Sequence, residues 1–64
     1  MLDNKRIEIL QNDVWVSSVD IRAGDTFRLF NSDGSPFTDS KGRKSWVAAS
    51  EMFNKFGDSL VNVY

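Results

Sequence analysis

The sequence predicts a mainly β fold, either a small antiparallel sheet or an SH3-like barrel of about five strands. Short segments of alternating apolar and polar residues recur at intervals of roughly 8–12 residues, and clusters of glycine, asparagine, aspartate and serine separate them. A chain of 64 residues provides one small domain and no more, so we treat residues 1–64 as a single unit.

The clearest strand lies in the stretch 19–34, around which we expect the fold to be organised. Gly24 can adopt a positive φ, and the carboxylate of Asp25 can hydrogen-bond the same turn. The strand that follows alternates, with Phe27 and Leu29 on one face. The sequence Asn-Ser-Asp-Gly then has the composition of a hairpin turn.

A hairpin is predicted before this strand. Residues 6–10 alternate with Ile7 and Ile9 facing inward, and residues 14–16 form a second short strand after a Gln-Asn-Asp turn. Core packing is the simpler interpretation of Trp15, because aromatic side chains are usually buried. A surface anchor for a partner is the alternative, because tryptophan is enriched at binding hot spots.

The C-terminal half begins with a long polar stretch. Proline cannot donate to a β-ladder, so residues 35–38 are predicted to be an extended edge segment, followed by an exposed loop tip at 39–44. Residues 45–50 and 59–64 are the last two predicted strands.

One short helix is predicted near residues 51–56. Ser50 can cap its N-terminus, and Gly57 is placed to end it. Phe53 and Phe56 would then share a face. A turn-rich loop is the alternative, because so short a helix depends on tertiary packing.

The composition excludes several chemistries. The chain has no cysteine and no histidine, which removes the usual zinc, haem and iron–sulfur ligands and all thiol chemistry. A calcium loop at Asn31 fails, because Ser40 would occupy the position of the bidentate glutamate. No Gly-x-Ser-x-Gly motif occurs, and so short a chain can hardly build a catalytic cleft. We therefore predict no enzyme activity, no catalytic residue, no metal and no cofactor.

Charge and hydropathy restrict the partners. The chain has eight basic and nine acidic residues, so it lacks the excess of basic residues that proteins binding nucleic acids tightly usually have. No apolar run approaches the roughly 20 residues that span a bilayer, and the first residues lack the apolar core of a signal peptide. We expect a cytoplasmic protein without membrane contact. Two tryptophans, five phenylalanines and one tyrosine are many for this length, so a homodimer that buries some of them stays open.

Protein binding makes the fewest demands on such a chain. Arg28, Phe30 and Phe37 flank the central turn and are the predicted partner-binding residues, forming an exposed aromatic and arginine patch. Burial of the two phenylalanines is the simpler interpretation, because the core has few apolar residues to draw on.

Binding of a nucleic acid or a small anionic nucleotide is the alternative function. Lys41, Arg43 and Lys44 could contact phosphates while Trp46 stacks on a base. The simpler interpretation is a solvated loop with its tryptophan turned inward. A minor structural or self-assembling component is a third hypothesis.

Three short motifs lie between residues 19 and 50. They are Ile21-x-x-Gly24-Asp25-x-Phe27-Arg28-x-Phe30, Asp33-Gly34-x-Pro36 and Trp46-x-Ala48-x-Ser50. In these motifs the chain resembles short open reading frames of tailed bacteriophages. The resemblance carries no catalytic residues, but it implies a setting in which such domains bind and modulate or inhibit a host protein. Our first functional hypothesis is therefore a phage-encoded, non-enzymatic protein-binding module.

Overall fold

The computed structural model describes residues 5–64, which contain six β-strands and no helix. Four strands form an antiparallel sheet in the order β2-β1-β3-β4, and the other two form a separate antiparallel pair. The strands are β1 (Arg6–Gln11), β2 (Val14–Ser18), β3 (Thr26–Phe30), β4 (Trp46–Val47), β5 (Phe53–Lys55) and β6 (Asp58–Leu60). The prediction of a mainly β, antiparallel fold is confirmed. The sheet does not close, so the barrel alternative is not what the chain forms.

The β1–β2 hairpin follows from a tight turn. Gln11 pairs with Val14, and the two residues between them, Asn12 and Asp13, have φ of 50° and 66°. Positive φ at both central positions is the mark of a type I′ turn, whose twist matches that of the strands it joins. Because this turn fixes the register, it also decides which face each β2 side chain occupies.

The turn before β3 forms as predicted. Gly24 has φ of 93°, and the carboxylate of Asp25 accepts a 2.9 Å hydrogen bond from the Arg22 N–H. Two backbone hydrogen bonds join this turn to Ala48. The Gly24 N–H donates to the Ala48 carbonyl, and the Ala48 N–H donates to the Asp25 carbonyl, each at 2.8 Å. These bonds fix the start of the central strand.

One face of the sheet covers the core. Strand alternation directs Ile7 and Ile9 of β1 and Phe27 and Leu29 of β3 to this inner face, where all four are buried. The other buried residues are Ile21, Trp46 and Ala48. The partly buried side chains that pack against them are Val16, Phe37, Met52, Val61 and Val63. Ile21 thus reaches the core from the irregular segment between β2 and β3 rather than from a strand.

The predicted helix over residues 51–56 is wrong. Lys55 pairs with Asp58, and the two residues between them, Phe56 and Gly57, have φ of 53° and 81°. The glycine that we expected to end a helix is therefore the second residue of another type I′ turn. A single helical turn has little stability of its own, and the Met52 N–H instead donates to the Ile21 carbonyl at 3.0 Å.

The last predicted strands are shorter than expected. Of residues 45–50, only Trp46 and Val47 form a strand, and Ala48 continues it as an isolated bridge to Val63. Ala48 is fully buried, which agrees with the close approach that a small residue permits. Of the predicted strand 59–64, Ser59 and Leu60 belong to β6, and the residues after them lie along β4.

Candidate functional site

The outer face of the four-stranded sheet carries a group of charged and aromatic side chains. Because Ile7 and Ile9 face the core, strand alternation sends their β1 neighbours to the opposite side. The same rule applies to β3, and the β1–β2 register extends it to Trp15, which stands opposite Leu10. We call the resulting group the outer patch; its members are Arg6, Glu8, Trp15, Arg28 and Phe30.

Arg28 is the centre of the outer patch. Its guanidinium carbon lies 4.3 Å from the centroid of the Trp15 ring and 5.2 Å from that of Phe30. Its Nε and Nη2 atoms both donate to Oε1 of Glu8, at 2.8 and 2.6 Å. Glu8 is the direct cross-strand partner of Arg28, so the sheet register itself brings the two charges together. The side chain is therefore held from three directions.

A second cation extends the patch along the sheet. Arg6 pairs with Phe30 across β1 and β3, and its guanidinium carbon lies 5.1 Å from the ring centroid. Phe30 thus has an arginine on either side. Each of these cation–π contacts contributes about 0.5–1 kcal/mol at an exposed site, which is enough to favour one arrangement of the side chains.

The patch is accessible without being fully solvated. The side chains of Arg28 and Glu8 are 35% and 18% exposed, and the two rings are half-buried. A partly exposed ion pair of this kind adds little to stability, about 0–1 kcal/mol. Its main effect is positional, because it fixes a long side chain that would otherwise lose conformational entropy when a partner binds.

Two of the three predicted partner-binding residues lie together, and the third does not. Arg28 and Phe30 belong to the outer patch, whereas Phe37 packs against the core. The Phe37 N–H donates to the Leu29 carbonyl at 2.9 Å, and its ring lies 6.0 Å from that of Trp46. The predicted grouping of Phe37 with Arg28 is therefore wrong, because pairing with β3 turns its side chain toward the inner face.

Trp15, Glu8 and Arg6 were absent from the predicted site. The signal for them was present in the sequence, because inward Ile7 and Ile9 require outward neighbours in β1. A two-residue turn then places Trp15 beside Leu10 on that same outward side. The alternation of β1 and the register of the hairpin together place Arg6, Glu8 and Trp15 on the outer face.

The basic loop, residues 41–44, is organised by one carboxylate. The side chain of Asp39 accepts hydrogen bonds from the backbone N–H groups of Lys41 and Arg43, both 2.9 Å. It also accepts bonds from Nε of Arg43 at 2.7 Å and from the indole N–H of Trp46 at 3.1 Å. Four donors on one carboxylate wrap the loop around it.

The hydrogen bonds to Asp39 determine its ionisation, the pairing of Arg43 and the position of Trp46. Burial works to raise the pKa of Asp39, but the hydrogen bonds from Arg43, Trp46 and Lys41 outweigh it and hold that pKa well below its usual range. Asp39 therefore stays ionised and offsets the charge of Arg43, and Lys41 and Lys44 are the loop cations for which the described residues show no ion pair. Trp46 is 7% exposed and stacks on Phe27, so it cannot stack on a base without leaving the core.

An open depression beside β1 and β2 is lined partly by Asp20 and Asp25, but both carboxylates accept bonds from their own turns. Within residues 5–64, no three acidic side chains converge as metal ligands would. The same residues include no helix of the length and apolarity needed to cross a membrane.

Comparisons with known proteins do not assign the chain to a family. No protein-family model, curated protein or solved structure matches it. The function has to be inferred from its own residues, and the outer patch is the surface on which two arginines and two aromatic rings come together.

Proposed function

We propose that this protein is a non-enzymatic binding module that docks a partner protein on its outer patch. The observation that carries the proposal is the stacking of Arg28 between Trp15 and Phe30, with ring distances of 4.3 and 5.2 Å. Tryptophan and arginine are among the residues most enriched at interface hot spots. Here they stand side by side on one face of the four-stranded sheet.

The patch suits a partner because its side chains are already arranged. Glu8 holds the Arg28 guanidinium through two bonds to a single oxygen, so binding would not have to order it. The patch contains two cations, Arg6 and Arg28, and one anion, Glu8, so its net charge is +1. The complementary surface is therefore apolar or aromatic, with a carboxylate placed to meet Arg6.

The resemblance to phage reading frames supports the choice of partner. In that setting we propose a bacterial host protein as the target and modulation or inhibition as the outcome. The mechanism is steric, because a bound module of this size covers the surface on which it sits and excludes the target's other partners.

The nucleic-acid alternative is less favoured by the geometry. Of its four predicted residues, Trp46 is buried in the core and Arg43 is paired with Asp39. Lys41 and Lys44 remain, and two phosphate contacts give only weak and salt-sensitive binding. We therefore use the basic loop as the control surface for the outer patch.

Two double variants with the same charge change separate the surfaces. Arg6→Gln with Arg28→Gln removes two cations from the outer patch, and Lys41→Gln with Lys44→Gln removes two from the basic loop. Each tagged protein is used to capture partners from bacterial lysate, and bound proteins and nucleic acids are identified by mass spectrometry and gel staining. Far-UV circular dichroism establishes that both variants fold.

The proposal predicts a protein that wild type and the loop variant retain and the patch variant loses. Truncation of a hot-spot arginine costs about 2 kcal/mol or more, which corresponds to roughly 30-fold in affinity. Equal capture by both variants would contradict the proposal. Loss of capture in the loop variant alone, with recovery of nucleic acid, would favour the alternative.

A further inference from the structure

The two edges of the four-stranded sheet differ in how they are covered. At the β4 edge, the Tyr64 N–H donates to the Val47 carbonyl at 3.1 Å, and Ala48 forms a bridge with Val63. The C-terminal segment thus occupies the hydrogen-bonding groups of that edge. The opposite edge is β2, for which the described part of the chain supplies β1 as the only partner strand.

The register identifies the free groups of β2. In a hairpin closed by a two-residue turn, the closing pair, here Gln11 and Val14, is hydrogen-bonded, and the pattern then alternates. Trp15 and Ser17 therefore direct their N–H and C=O groups away from β1. Within residues 5–64, no backbone hydrogen bond outside strand pairing reaches either residue.

The β2 edge lacks the usual protection against strand pairing. Natural edge strands are commonly interrupted by charged residues, proline or bulges. The β2 sequence Val-Trp-Val-Ser-Ser has no charge and no proline, and its pairing with β1 is one-to-one throughout, without a bulge. Val14 is moreover 58% exposed at its start.

We propose that β2 pairs antiparallel with β2 of a second copy of this chain, across a two-fold axis at Val16. This register sets all five residues of one strand against all five of the other. Trp15 then exchanges two backbone hydrogen bonds with Ser17 of the second copy, and the symmetry repeats the exchange. Val16 lies opposite its own counterpart at the closest spacing of the ladder.

A second copy fits this edge for two reasons. Both strands are neutral, so pairing sets no like charges against each other within the ladder. The two Trp15 side chains become diagonal neighbours about 7–8 Å apart, a distance that aromatic rings can bridge. The product is a continuous sheet of eight strands, four from each copy, with both outer patches on one face. The inference goes beyond the proposed function, because it rests on the free edge of β2, which shares only Trp15 with the outer patch.

Sedimentation equilibrium and amide hydrogen exchange test the dimer on the wild-type chain. The expected mass at high concentration is about twice the 7.3 kDa of one chain. The Trp15 and Ser17 amides should become protected as concentration rises, whereas the Val16 amide, bonded to β1, should be protected throughout. A monomer up to roughly 1 mM, or a dimer that leaves the Trp15 and Ser17 amides unprotected, would overturn the proposal.

Ser17→Pro supplies the matching variant, with Ser17→Ala as its control. The Ser17 N–H points away from β1, so proline there removes no hydrogen bond from the hairpin, yet it removes one donor per copy from the dimer. We expect its dissociation constant to rise at least tenfold, roughly the effect of losing two hydrogen bonds, while the alanine variant stays within about twofold of wild type. Equal association of both variants would show that β2 is not the interface.

Discussion

Phe56 offers a substitution that should stabilise the protein, because the residue is poorly suited to its backbone. It occupies the first central position of the β5–β6 turn with φ of 53°, where asparagine is the preferred residue. Its ring is 93% exposed and contacts Lys55 at 5.5 Å, so it contributes almost nothing to the core. Phe56→Asn should therefore relieve strain without losing buried area.

The gain can be worked out from these terms. A left-handed conformation costs a residue with a bulky side chain about 1–2 kcal/mol, and asparagine much less. Loss of the exposed contact with Lys55 subtracts about 0.5 kcal/mol. The net stabilisation is then about 0.5–1 kcal/mol. For a domain of this size, such a change raises Tm by roughly 2–8 °C.

Thermal unfolding followed by circular dichroism measures this gain. Phe56→Ala is the matched control, because alanine also removes the ring but lacks the short polar side chain with which asparagine hydrogen-bonds locally in the left-handed conformation. Met52 and Val61 flank the hairpin and pack against the core, so opening of the turn is coupled to unfolding of the whole. We expect Tm to increase with asparagine and to stay at or slightly below wild type with alanine. An asparagine variant no more stable than the alanine variant would refute the argument from strain.

Three further predictions follow from the core, the basic loop and the outer patch. Phe27→Ala removes a ring that is 2% exposed and should cost about 3–5 kcal/mol, a large fraction of the total stability of so small a domain, as urea denaturation would show. Asp39→Asn should lower the free energy of unfolding at neutral pH. Because folding depresses the pKa of Asp39, the stabilisation by its carboxylate is complete above about pH 4 and is lost as the pH falls toward the pKa of the folded state. The acid limb of a plot of Tm against pH should therefore be shallower in that variant. Glu8→Gln should change stability by only about 1 kcal/mol or less, because the ion pair is partly exposed, but should loosen the Arg28 side chain in its NMR relaxation.

The sequence alone was enough to predict the hairpin and the central strand. Alternation in residues 6–10 and 26–30 has a single interpretation, and the turns that bound these strands contain residues that tolerate positive φ. The stretch 51–57 was ambiguous, because a serine, two phenylalanines and a glycine fit both a capped helix and a hairpin. The hydrogen bond from Met52 to Ile21 decides between them, and no local pattern reveals a contact between residues so far apart.

The candidate site was predictable only in part. Arg28 and Phe30 lie on a strand whose alternation is clear, and Trp15 could have been added from the register of the hairpin. Phe37 could not be placed, because its orientation depends on a bond to Leu29 outside any regular ladder. The role of Asp39 was equally hidden, because three of its four donors come from a loop with no periodic sequence and the fourth is the indole of Trp46 in β4.

The central claim is that the outer patch, and not the basic loop, carries the binding function. The most direct test is isothermal titration calorimetry of the captured partner against wild type, Arg28→Gln and Lys41→Gln, which each remove one cation. We expect the Arg28 variant to bind roughly 30-fold more weakly or worse, and the Lys41 variant to stay within about twofold of wild type. Equal affinities for wild type and the Arg28 variant, or a larger loss at Lys41 than at Arg28, would contradict the claim.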